Sequence, residues 1–303
     1  MAQLPPRPTF KPSDTFTWLL VGAFWLFAQL PWNVQLAAGR GLGHLSYFLL
    51  KRRRHIAATN IALCFPHLSA ARQQRLTRAT MVSTGEAITE IAAAYINKRV
   101  DLPSRLTIEG REHLETASAK GGVLLLGMHL NTIDAGCRLL GDGAKVPFSV
   151  VYRPNNNPIL DWFIAWGRGR FVEHYIDRKD MRGLIRHLRA GKTVWYAPDQ
   201  DYGREQSVFA PFFGVQTATI TTTTRIAKMG RATVIPTSHF RLPNGRYKIV
   251  FGPPVENFPS GDDVVDATIV NQIIEQEVLK APEQYLWVHR RFKTRPKGEK
   301  KLY

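Results

Sequence analysis

Gly122-Val-Leu-Leu-Leu-Gly-Met-His-Leu-Asn-Thr-Ile-Asp134 is the stretch on which the fold is read. Gly122–Met128 is short, apolar and uninterrupted, as a strand buried on both faces must be. The polarity then changes at His129. Asn131 has the chemistry of a helix N-cap, so a helix is expected to follow, over about 132–141. The same alternation recurs downstream. Phe148–Tyr152, Thr193–Ala197 and Ala232–Ile235 read as further buried strands, and Tyr247–Phe251 as one nearer an edge. Helices are expected between and after them, over 158–169, 180–190, 217–229 and 263–280. Strands separated by helices of this length predict an α/β fold: a central, mainly parallel sheet covered by helices.

Sites in such sheets lie beyond the carboxyl ends of the strands. Each strand end here carries a polar group. They are Met128-His129 with Asp134, Tyr152-Arg153, the turn Ala197-Pro-Asp199-Gln-Asp201-Tyr-Gly-Arg204, and Ile235-Pro236-Thr-Ser238-His239. On one continuous helix, residues five apart do not share a face. His129 and Asp134 therefore meet only if His129 sits at the strand end and a helix capped by Asn131 puts Asp134 at its third position. A carboxylate so placed would hold one ring nitrogen and leave the other free to take a proton. The alternative reading makes Asp134 a capping acid and His129 a hydrogen-bonded strand-end residue; spacing alone leaves both open. Arg153 follows a buried strand, so it either pairs with an internal acid or faces an anionic ligand. The sequence holds no G-x-S-x-G elbow, phosphate loop or H-E-x-x-H motif. Cys64 and Cys137 match no metal spacing and read as two buried thiols.

The chain of 303 residues carries 41 Lys+Arg against 24 Asp+Glu, a net +17. That favours anionic partners without choosing among them. No charge occurs from Thr15 to Ala38. Its densest part, Phe16–Leu30, is about 15 residues long before Pro31, against the roughly 20 that a spanning helix needs. It reads as a retained membrane anchor, kinked or partly embedded, over residues 1–39, with the remaining domain over 40–303. Lys51-Arg-Arg-Arg54 after the anchor places that domain on the cytoplasmic side. Gly39-Arg-Gly-Leu-Gly43 reads as a close helix contact. Residues 40–98 read as helical, broken at Leu63-Cys-Phe-Pro66 and restarted at Ser69.

The strand-end motifs resemble the glycerolphosphate acyltransferase superfamily, whose first motif is H-x4-D. The match is closer to its bacterial lipid A biosynthesis branch, the late or secondary, lauroyl-type acyltransferases. It rests on Asn60-Ile-Ala-Leu-Cys-Phe-Pro66, Tyr152-Arg-Pro-Asn-Asn-Asn-Pro158, Asp161-Trp162, Val194-Trp-Tyr-Ala-Pro-Asp-Gln-Asp-Tyr-Gly203 and Ala281-Pro-Glu-Gln-Tyr-Leu-Trp-Val-His-Arg-Arg-Phe-Lys-Thr-Arg-Pro296. The resemblance implies transfer of an acyl group from acyl carrier protein to a hydroxyl of a Kdo-bearing lipid A precursor at the inner membrane, with no cofactor and no metal. It implies His129 as general base oriented by Asp134, and Arg153, Asp199, Asp201 and Arg204 around the substrate. Two other functions stay in view. One is a related acyltransferase acting on glycerol phosphate or lysophospholipid. The other is a non-enzymatic basic membrane-peripheral protein; no nucleic-acid-reading motif is present.

Overall fold

A computed structural model describes residues 6–97 and 99–303. Four helices come first: α1 (Thr15–Phe27), α2 (Trp32–Leu49), α3 (Lys51–Cys64) and α4 (Ala70–Tyr95). The α/β part follows. It comprises β1 (Leu106–Glu109), α5 (Arg111–Lys120), β2 (Val123–Leu126), α6 (Ile133–Arg138), β3 (Phe148–Tyr152), α7 (Pro158–Arg168) and β4 (His174–Asp177). It continues with α8 (Met181–Arg189), β5 (Thr193–Tyr196), β6 (Ser207–Phe212), β7 (Val215–Ile220), α9 (Thr222–Gly230), β8 (Thr233–Leu242), β9 (Arg246–Phe251) and α10 (Asp263–Lys280).

Seven strands form one sheet in the order β1-β9-β8-β2-β5-β3-β4, parallel except where β8 meets β9. The strand quoted first is the middle one. Its four residues are fully buried and serve both faces. Leu124 and Leu126 join the core beneath α3, α8, α9 and α10, while Val123 and Leu125 join the core beneath α5 and α6. A strand covered on both faces has no polar side, which is why its sequence is a continuous apolar run.

Several expected features take a different form. The helix expected over 217–229 begins only at Thr222, because β6 and β7 form a hairpin outside the main sheet. The fourth strand does not end in a Pro-polar turn; β8 runs through Pro236 and His239 to Leu242. Two short strands, β1 and β4, extend the sheet beyond the expected set. By contrast Ser69 does cap α4, accepting from the Arg72 N–H, and α10 spans the expected 263–280.

Of the two forms expected for the N-terminal anchor, spanning or partly embedded, the spanning one finds no support among the described residues. The apolar run breaks at Pro31 into two helices, and α1 has 13 residues. That is about 20 Å of helix, against about 30 Å of bilayer hydrocarbon. No described helix is long and apolar enough to cross a membrane. The boundary expected after residue 39 falls inside α2, which lies along α4. Gly39, Gly43 and Gly85 allow this contact: a Cβ on Gly43 would come within 2.4 Å of the Val82 backbone. Arg40 pairs with Glu86 there at 2.8 Å. Glu86 and Glu90 in turn hold the buried Arg241 of β8 at 2.7 and 2.6 Å.

Candidate active site

The parallel register places the central groups. Leu126 of β2 lies opposite Tyr196 of β5. His129 and Asp199 each stand three residues beyond that pair, so the two chain ends deliver them side by side. The His129 Nδ1 lies 2.5 Å from Asp199 Oδ1, and its backbone N–H donates to Oδ2 at 2.9 Å. Asp199 is buried; His129 is about one-quarter exposed and lines an open cleft. Burial alone would raise the Asp199 carboxyl. The adjacent His129 ring, its two hydrogen bonds and the charge of Arg291 overcome this and bring the carboxyl down to about 2.

The expected partner of His129 is thereby corrected. Asp134 accepts instead from Arg168 Nε at 2.7 Å and from the Tyr95 hydroxyl. Among the described residues no hydrogen bond joins it to His129. Local structure explains the change. Helix α6 is capped at Thr132, not Asn131, so Asp134 is its second residue rather than its third. Thr132 gives its hydroxyl to His239, whereas the Asn131 amide donates to Ser83. Arg168 arrives from the end of α7, which Asn157 caps by accepting from the Ile159 and Leu160 N–H groups. Gly167 lets Tyr95 close in, since a Cβ there would meet the ring at 2.2 Å. Burial works against the Arg168 charge, but Asp134 outweighs it and keeps the guanidinium protonated.

The C-terminal segment crosses this loop. Leu286 N–H donates to the His129 carbonyl at 3.0 Å, and Asn131 N–H to the Gln284 carbonyl at 2.7 Å. Asp201, expected beside substrate, is buried and holds this segment, accepting from the Thr294 N–H and hydroxyl at 2.6 and 2.8 Å. Arg204 is also turned to it, donating to the Arg295 carbonyl and stacking over Phe209. His289 accepts from the Asp201 N–H at 3.4 Å. Arg153 is exposed, has no ion-pair partner among the described residues and lines the cleft with Arg178. The pairing of Arg153 with an internal acid, one of its two expected readings, is not seen among the described residues.

The cleft has a cavity volume of about 240 Å3. Ile133, Val150, Arg168 and Trp195 separate it from a second, small and mostly apolar pocket between α6 and the sheet, with a cavity volume of about 30 Å3. Cys137 lines that pocket, and burial pushes its thiol up to about 12, so it is no nucleophile at neutral pH. A histidine lining an open cleft and backed by a buried carboxylate is equipped to take a proton from an alcohol.

The family model described as bacterial lipid A biosynthesis acyltransferase matches residues 7–294. The chain belongs to that family. It is an acyltransferase of lipid A biosynthesis. It is 39% identical to the lipid A biosynthesis lauroyltransferase of Escherichia coli (strain K12), over the whole of both chains. It is 37% identical to the lipid A biosynthesis palmitoleoyltransferase of the same strain, over 98% of this chain and 97% of that one. A lipid A biosynthesis acyltransferase of Haemophilus influenzae is 37% identical over 96% and 94% of the two chains. Arg168 and Tyr95 are the site residues that sequence reasoning missed. The nearest available signal was an arginine closing the amphipathic helix that follows Tyr152-Arg-Pro-Asn-Asn-Asn-Pro158.

Proposed function

We propose that this enzyme moves a fatty acyl group from an acyl carrier protein thioester to a hydroxyl on a 3-hydroxyacyl chain of a Kdo-bearing lipid A precursor. The observation that carries the mechanism is the His129 ring, gripped through Nδ1 by Asp199 and lining the cleft. With Nδ1–H donated to Asp199, Nε2 keeps its lone pair. It takes the acceptor's hydroxyl proton as that oxygen bonds to the thioester carbonyl carbon. The carbon–sulfur bond then breaks, and the sulfur leaves with the proton that His129 returns. Asp199 stabilises the imidazolium between these steps. Arg168, fixed by Asp134 and Tyr95 on the cleft wall, offers N–H groups to the carbonyl oxygen as it gains charge. Arg153 and Arg178 meet the phosphates of acceptor or donor at the mouth.

The same reading places the protein on the cytoplasmic face of the inner membrane, docked in one leaflet rather than through it. Phe16, Leu19, Leu20 and Leu26 of α1 are exposed, as are Leu45, Phe48 and Leu49 of α2, next to the exposed Lys51, Arg52 and Arg53. An apolar face bordered by basic residues suits an anionic lipid surface. Binding to anionic vesicles that survives in Phe48→Glu/Leu49→Glu protein would remove this part of the account.

Transfer is tested with purified full-length protein, acyl carrier protein thioester and the Kdo-bearing precursor. His129→Ala should lose at least about 10²-fold in rate, the usual worth of a general base. A His129→Ala protein with the wild-type rate would refute the mechanism, and acylation of lysophosphatidate alone would refute the acceptor.

A further inference from the structure

Helices α8 and α9 lie side by side on the sheet face opposite α5 and α6. Gly230 lets them close up, since a Cβ there would meet the Leu188 side chain at 2.7 Å, and Arg189 Nε donates to the Met229 carbonyl at 2.8 Å. Leu184 and Leu188 of α8 and Ile226 and Ala227 of α9 are buried beneath them. The outer side is basic: Arg182, Arg186 and Arg189 of α8 and Arg225 and Lys228 of α9 are exposed. Residues 181–192 and 221–232 contain no acid. None of the five cations takes part in an ion pair among the described residues. We infer that this surface docks the acidic acyl carrier protein, whose phosphate-bearing arm then enters the cleft past Arg178. This rests on the transfer reaction proposed above.

Folding does not account for the arrangement. Arg182, Arg186 and Arg189 recur at i, i+4 and i+7, so they form one stripe and repel along it. Arg182 is the second residue of α8 and Arg225 the fourth of α9, where the positive end of a helix disfavours a cation. Asp180, the acid just before α8, is engaged by the Gly183 N–H at 2.8 Å.

Position and apolar content choose the partner. Strand β4 ends at Asp177, opposite Tyr152 at the carboxyl edge of the sheet. Arg178, the next residue, lines the His129 cleft, and α8 begins at Met181. The stripe therefore runs from the cleft mouth along about 14 Å of helix. A bilayer surface is held by apolar side chains as well as by charge. Of the exposed large apolar residues only Met229 lies on α8 or α9, whereas α1 and α2 carry many. Charge without apolar anchors suits a soluble acidic protein, which it steers and orients.

The test varies the carrier thioester at saturating lipid acceptor, with full-length protein in detergent micelles. Arg186→Glu/Lys228→Glu should raise KM for the carrier thioester by about tenfold or more and leave kcat within about twofold. Arg186→Gln/Lys228→Gln removes charge without reversing it and should raise KM about threefold. Lys120 and Lys145 are exposed on the opposite side of the sheet, and Lys120→Glu/Lys145→Glu makes the same change in net charge as the first variant. It should leave KM within about twofold. Binding to vesicles of phosphatidylglycerol and phosphatidylethanolamine should be the same for all four proteins. A KM that both α8–α9 variants leave within about twofold overturns the inference. So does an equal rise in KM for Lys120→Glu/Lys145→Glu, which would make the effect one of overall charge. Loss of vesicle binding in the α8–α9 variants would assign the surface to the membrane and overturn it as well. Absence of transfer from the carrier thioester by the wild-type protein would instead refute the underlying reaction.

Discussion

Replacing Asp199 by Asn separates the carboxylate that holds His129 from the one that does not. Asp199 offers two acceptor oxygens, one to the His129 backbone N–H at 2.9 Å and one to Nδ1 at 2.5 Å. Asn offers one acceptor and one NH2 donor. The backbone N–H cannot change character, so it claims the amide oxygen. The NH2 then faces Nδ1, which must accept, and the ring proton moves to Nε2. A histidine protonated at Nε2 cannot take a proton from the acceptor. The analogous exchange in a Ser-His-Asp triad costs about 10⁴-fold in kcat, and a loss of about 10² to 10⁴ is expected here. The stability effect is smaller. The carboxyl is held at about 2 against an ordinary 3.8, which corresponds to about 2 kcal/mol at neutral pH. That contribution is present above about pH 4 and is lost as pH falls through the folded value. The assay is single-turnover transfer of a labelled acyl group, followed by mass spectrometry of the lipid product, with thermal melting of the same samples. A folded Asp199→Asn protein within threefold of the wild-type rate would show that His129 does not work through Nε2.

Asp134→Asn keeps an acceptor for Tyr95 and Arg168 but removes the opposing charge; the rate should fall by about tenfold, far less than for Asp199→Asn, and the reverse order in parallel kinetics would restore Asp134 as the partner of His129. Burial holds His239 at about 4 against an ordinary 6.5. The unfolded chain therefore gains a proton first as pH falls, and stability should drop by about 3 kcal/mol between pH 6.5 and 4. In His239→Gln protein that part of the slope in denaturant midpoint should vanish; an unchanged slope would place its origin elsewhere. Given the +17 charge, transfer at low substrate concentration should slow several-fold between 50 and 300 mM salt. A flat salt response in kcat/KM would remove electrostatic steering of the carrier protein.

What the sequence made legible follows from the range of the interactions involved. Burial on both faces writes itself into Gly122–Met128 directly, and Ser69 announces its helix through a bond three residues away. The β6–β7 hairpin escaped notice because its turn is Phe213-Gly214, both with positive φ, at 49° and 75°. Asn or Asp in place of Phe213 would have given the usual signal. His129 was legible as a polar residue at a strand end. Its partner was not, because Asp199 is 70 residues away. Only the adjacency of β2 and β5 brings them together, and strand order is not a local property. Asp134 is close in sequence, and proximity along the chain made it the natural candidate. The apolar N-terminus was legible in composition, while the break before Pro31 and the contact of α2 with α4 decide what that composition does.

The long C-terminal run beginning at Ala281 was the most specific motif in the sequence, yet most of its polar groups serve the backbone rather than the cleft. Asn60 donates to the carbonyls of Trp287 and His289, and Arg291, almost wholly buried, donates to the carbonyl of Ala218. Leu286 donates to the His129 carbonyl, the Gln284 carbonyl accepts from the Asn131 N–H just beyond it, and Thr294 binds Asp201 two residues after Asp199. Such groups cannot be left unpaired in the interior without a cost of about 1–3 kcal/mol each. Their pairing therefore fixes where the crossing segment lies. A general base must hold its distance from the reacting oxygen within a fraction of an ångström, and a loop after a strand end does not do this alone. Pinned from β5 through Asp199 and from the C-terminus through Leu286 and Gln284, the His129 loop has little freedom left. On the proposed mechanism, residues that resemble catalytic ones by type, Asp201 and His289, would serve the reaction through geometry, and Asp199 through both geometry and charge.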